Sequence, residues 1–101
     1  MAVLVDAAIW PFDGRRWAHL VSDSSYEELH EFAASLGIPR RVFQGDHYDV
    51  PAALRAEAVR LGAQAVTAEQ LVRRLRAAGL RRRSRVGSLP GEVPPVEPSS
   101  R

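Results

Sequence analysis

Three times between Ser25 and Gly79 the chain runs through the same short grammar: a signal that starts a helix, apolar residues at spacings of three and four, and a glycine that stops it. In the capping box Ser25-Tyr-Glu-Glu28, the serine hydroxyl accepts from the amide three residues on while the glutamate reaches back to the cap. Leu29, Phe32, Ala33 and Leu36 then form one apolar stripe, Gly37 supplies the left-handed stop, and Pro39 follows just beyond. Pro51 has the fixed φ that suits a first helical turn, and Leu54, Ala58 and Leu61 make the inward stripe up to Gly62. Thr67 with Gln70 is a second capping box. It opens a helix with Leu71, Val72 and Leu75 inward and Arg73, Arg74 and Arg76 outward, closed by Gly79.

Short strands fill the intervals. Val3-Leu4-Val5 is an apolar run suited to an interior strand, and Asp6 closes it. Trp10, Pro11, Phe12 and Asp13-Gly14 make a rigid aromatic loop or turn. Arg16 to Val21 predicts a second strand, with Trp17, His19 and Val21 on one face and Ala18 and Leu20 on the other. Arg41 to Gln44 predicts a third strand, whose exposed edge would invite dimerisation by β-pairing. Gly45-Asp46 turns the chain, and Ala63 to Val66 is a fourth strand. The order is β-β-α-β-α-β-α. Leu36-Gly37 and Leu61-Gly62 each lead from a helix to a short apolar strand, which suggests two αβ units and a small single-domain α/β fold with a mixed sheet.

At 101 residues there is room for one domain, which hides only about 60 to 65% of its unfolded surface. Without cysteine, disulfides, thiolate metal sites and cysteine nucleophiles are excluded. The apolar N-terminus lacks a basic region, carries Asp6 and meets Pro11 too early for a signal peptide or a membrane span, so no membrane role and a cytoplasmic location are expected. The basic character lies in the tail. Residues 1–80 carry nine Arg against ten acids, whereas 81–101 carry five Arg against Glu92 and Glu97. The run Arg81-Arg82-Arg83-Ser84-Arg85 and the proline-rich stretch after it lack apolar periodicity, so 1–80 is read as the domain and 81–101 as a disordered tail.

Six residues stand out as site candidates. Asp6 ends a strand, where ligands collect in open α/β sheets; it would hold a divalent cation or a polar ligand, or else fix the Trp10-Pro11 turn. His19, beside apolar neighbours, is either a packed imidazole or a ligand. His47, Tyr48 and Asp49 join an imidazole, a phenol and a carboxylate in a loop ahead of a helix, where the dipole favours an anion; the alternative is that Asp49 caps the helix and Tyr48 packs. Arg55 lies one turn on and would face that anion or pair with Asp49. Trp10 and Trp17 read as core, and His30, Glu27, Glu57 and Glu69 as solvent-facing. There is no Gly-rich phosphate loop, HExxH or GxSxG, and nothing marks Ser22 or Ser24 as a nucleophile.

Val5-Asp6, Ile9-Trp10-Pro11, Trp17-Ala18-His19-Leu20, Asp23-Ser24, Glu28-Leu29-His30, Phe43-Gln44, His47-Tyr48-Asp49-Val50, Arg55 and Leu61-Gly62-Ala63 together resemble the short bacterial and phage proteins grouped as domain of unknown function 4031. The likeness runs from about residue 3 to 76 and leaves the tail outside. Members commonly have Thr or Ser where this chain has Pro51, so the helix cap there is altered. The family has no established activity, and the resemblance implies a site without a mechanism.

Three functions follow as expectations. The first is a binding module for a phosphate-bearing or other anionic ligand, such as a nucleotide or nucleic acid, at Asp6, His19, His47, Tyr48, Asp49 and Arg55. The second is a metal-assisted hydrolase or nuclease with a divalent ion on Asp6, His47 and Asp49. The third is an interaction protein whose Arg81 to Arg85 run binds nucleic acid or an acidic partner.

Overall fold

The computed structural model describes residues 2–12 and 14–82. Asp13 of the expected turn, and the tail from residue 83, lie outside them, as does the Trp10 side chain expected in the core.

Among the described residues, five strands form one mixed sheet and three α-helices pack on its two faces. β1 (Val3–Val5) pairs antiparallel with the far end of β3 (Arg15–Ser22), and β2 (Trp10–Phe12) pairs antiparallel with its near end. β4 (Tyr48–Pro51) pairs antiparallel with Trp17 to Leu20, overlapping both stretches. A strand has two edges, so β1 and β2 share one edge of β3 and β4 takes the other. β5 (Gln64–Ala65) adds in parallel outside β1.

α1 (Tyr26–Ser35) and α3 (Ala68–Ala77) begin at the expected residues: Ser25 accepts from the Glu28 amide, and Thr67 and Gln70 form the full reciprocal box. The return bond expected from Glu28 is not made, because its carboxylate accepts from the Ser22 and Ser24 hydroxyls and the Ser25 N–H donates to Ser22 Oγ instead. Alternation along the strands sorts the core into two faces. Val3, Val5, Ala18, Leu20, Tyr48 and Val50 pack against Leu29 and Ala33 of α1 and Ala58 of α2 (Ala52–Arg60). Leu4 and Val21 point the other way, onto Leu71 and Leu75 of α3.

Other expectations are corrected. Arg41 to Gln44 is no strand: Arg40–Val42 forms a single 3-10 turn with no buried residue, so the edge pairing expected there does not arise. That place in the sheet goes to Tyr48–Pro51, where Tyr48 and Val50 fill the core face. Trp10–Phe12 is a strand rather than a loop. Pro51 is the N-cap of α2 rather than its first turn, at φ −68° and ψ 157°, and Leu61, expected inward, is 42% exposed.

Among the described residues, no helix is long and apolar enough to cross a membrane.

Candidate functional site

Strand parity decides which polar groups meet. His19 lies on the Val21 face of β3, and Asp49 stands directly across from it on β4. His47 precedes Asp49 by two residues and Asp6 follows Leu4 by two, so both side chains share that face. α3 covers only the Leu4 and Val21 end of the face, leaving these groups beyond it.

Asp6 is 1% exposed, and both its oxygens serve His19. Oδ1 accepts the His19 backbone N–H at 2.6 Å, and Oδ2 lies 2.8 Å from His19 Nδ1. A carboxylate only accepts, so Nδ1 carries the proton and Nε2 is the nitrogen turned toward the site. His47 repeats the arrangement. Its Nδ1 is 2.7 Å from Oδ1 of Asp46, a carboxylate only 3% exposed. Gly45, at φ +90°, allows the tight turn that sets Asp46 just before the strand, closed by the Gln44 N–H donating to the His47 carbonyl at 2.8 Å.

The two outward nitrogens converge on one carboxylate. Asp49 Oδ1 is 3.3 Å from His47 Nε2 and 3.9 Å from His19 Nε2, and the rings meet edge to face at 5.1 Å. One ligand atom from each of His19, His47 and Asp49 lies within 4.8 Å of the others. For bonds of about 2.0 to 2.1 Å at tetrahedral angles, ligand atoms sit about 3.3 to 3.4 Å apart, so an ion would need to draw only the wider pairs inward.

Burial disfavours a charge on His47, but hydrogen bonds and charge attraction from Asp46 and Asp49 outweigh it and push its pKa up to about 9. For Asp46 burial acts upward, and its bonds to His47 and to the Arg82 amide prevail, lowering its pKa.

Of the six candidates, the structure therefore brings together His19, His47 and Asp49. Asp6, expected among the metal ligands, stands one layer behind and orients His19. Arg55 is tied to the same strand end, its Nε donating to the Asp6 carbonyl at 2.7 Å. Tyr48 is on the opposite face, because its neighbours in a strand must alternate: it is fully buried, 2.8 Å from His30 Nδ1, with Phe43 packed on both rings. His30, expected in solvent, is half-buried there, and burial followed by the charge of Arg40 lowers its pKa. Trp17 is half-buried beside His19 on the site face. Asp46, which reads in the sequence as a turn residue, is the further member of the cluster. Its adjacency to His47 was the available signal.

Residues 3–78 match the family described as Protein of unknown function (DUF4031). The chain belongs to that family. No curated protein and no solved structure matches it.

Proposed function

We propose that this domain holds one divalent metal ion on His19 Nε2, His47 Nε2 and the Asp49 carboxylate, and uses it to bind and hydrolyse an anionic, phosphate-bearing substrate. The observation that carries the reading is the pair of buried carboxylates. Asp6 and Asp46 each fix an imidazole through Nδ1 so that both Nε2 atoms face Asp49. Ligating histidines characteristically donate their second ring N–H to a carboxylate, which sets the tautomer and raises the basicity of the ligating nitrogen. Three protein ligands on one side leave coordination positions open, where a metal ion lowers the pKa of bound water and polarises a phosphoryl oxygen.

The charge balance favours a cation as the primary ligand. With both imidazoles neutral, as ligation requires, and Arg81 paired to Asp46, the carboxylates of Asp6 and Asp49 against Arg55 leave the cluster net negative. An anion would enter second, on the ion itself, with Arg55 beside Asp6 as the nearest guanidinium on α2.

The test is calorimetric titration of metal-free protein with Mn²⁺, Co²⁺ and Zn²⁺, followed by assay of phosphodiester, nucleotide and oligonucleotide cleavage with the ion that binds. One ion per chain is expected, lost in His19→Ala and Asp49→Ala. Equal binding by wild type and both variants would overturn the metal site; a bound ion with no cleavage of any phosphate ester would reduce the proposal to binding.

A further inference from the structure

The residues that follow α3 turn back over the site. The Arg82 backbone N–H donates to Asp46 Oδ2 at 2.9 Å, and an Arg81 guanidinium nitrogen lies 3.7 Å from the same oxygen. Asp46 Oδ1 is the atom that receives His47 Nδ1. One buried carboxylate thus joins the segment after α3 to the His47 imidazole.

Tyr26, at the start of α1, pins the segment from the other side. Its hydroxyl donates to the Leu80 carbonyl at 2.6 Å and accepts from Arg82 Nε at 2.9 Å, and the Arg82 guanidinium lies 5.3 Å from the Tyr26 ring centre. Phe43 in turn packs edge-on against Tyr26. Three contacts on Leu80 and Arg82 from a single tyrosine hold the Arg82 amide where Asp46 needs a donor.

We infer that Leu80, Arg81 and Arg82 form a strap that positions the His47 imidazole through Asp46, so that a segment beyond the family match at residue 78 belongs to the site. Asp46 cannot rotate to release Oδ1 without abandoning the Arg82 amide in a site that is 3% exposed. Asp46 and the strap are positioning groups and touch no ion. The consequence for metal affinity rests on the proposed metal reading, whereas the effect on the imidazole does not.

The experiment compares full-length wild type with Arg82→Pro, which lacks the donating N–H, and with Tyr26→Phe, which removes the hydroxyl that pins Leu80 and Arg82. Imidazole ¹⁵N resonances are recorded on metal-free protein, and Co²⁺ affinity is measured by titration. His47 resonances are expected to move in both variants while those of His19 stay, and Co²⁺ affinity falls by about 10-fold in Arg82→Pro, in line with loss of an outer-layer partner. Combining Arg82→Pro with Asp46→Asn should add little to Asp46→Asn alone, because both act through one carboxylate.

Unmoved His47 resonances overturn the strap, and so do shifts of equal size at His19, which would mean general loosening. Moved resonances with unchanged Co²⁺ affinity overturn its role in metal binding. If wild type takes up no Co²⁺, Mn²⁺ or Zn²⁺, the metal reading fails by itself, and the His47 resonances still decide whether the strap positions the ring.

Discussion

Asp6 grips His19 twice, accepting its backbone N–H on one oxygen at 2.6 Å and facing its Nδ1 with the other at 2.8 Å. The first bond fixes the strand and the second fixes the tautomer. Asp6→Asn separates the two, since the amide keeps one acceptor and gains a donor. With its oxygen on the backbone N–H, its NH₂ faces Nδ1 and the ring must present Nε2–H to the site. Metal affinity should fall by about 10- to 100-fold with the sheet intact, checked by titration alongside circular dichroism.

His47 supplies a pH dependence of known sign. Its pKa rises from 6.5 to about 9 on folding, because the bonds to Asp46 and Asp49 overcome burial. Its contribution is fully present below the unfolded value of 6.5 and is lost as pH rises through about 9, amounting to about 3 kcal/mol in all. Urea unfolding of metal-free protein at pH 6, 8 and 10 should show stability declining across that window. In His47→Gln the decline should be largely gone. Metal uptake at Nε2 should release a proton below pH 9, measurable as a buffer-dependent heat.

Asp23 gives the opposite sign. Its Oδ1 accepts the Ala2 N–H at 2.8 Å and its Oδ2 meets Arg74 of α3, tying the N-terminus, the end of β3 and the last helix together. Burial raises its pKa, yet the bonds from Ala2 and Arg74 prevail and lower it from 3.8. The stabilisation is present above 3.8 and disappears as pH falls through the lower folded value. Asp23→Asn should cost about 1.5 to 3 kcal/mol at pH 7, and the gap to wild type should narrow in acid, read from parallel denaturation curves.

Tyr48 and the site should prove separable. Tyr48→Phe deletes the hydroxyl that meets His30 and keeps the ring among Phe43 and its neighbours. A loss of about 1 kcal/mol is expected, with metal affinity unchanged. A variant that weakens metal binding as much as Asp49→Ala would show that the two faces of β4 are not independent.

Local rules were legible where one element decides the outcome. The Ser25 and Thr67 caps, the Leu71 and Leu75 stripe and the two faces of Arg16 to Val21 follow from spacing alone. The candidate cluster was legible as a set of residue types, including the His19, His47 and Asp49 that now meet. What spacing could not supply was pairing. Arg41 to Gln44 has strand-like residues, but Arg41 and Val42 are exposed and bury nothing against a sheet. Tyr48 to Pro51 was masked by its proline, which a strand tolerates at its end and on an edge. Once that segment is a strand, His47 and Asp49 part from Tyr48. The Asp46 partnership with Arg82 spans 36 positions and leaves no local trace.

The register between β3 and β4 sets His19 against Asp49 and Leu20 against Tyr48. Slipping β4 by one residue would turn Asp49 toward the core and take Tyr48 out of it, with His19 and Leu20 left facing the wrong partners. A misaligned pairing of these two strands, which α1 and the 3-10 turn separate in the chain, would therefore lose its core and its chemistry together. Ligand capture at this cluster would act as a seal on correct assembly, rewarding only the chain that has already counted its strands properly.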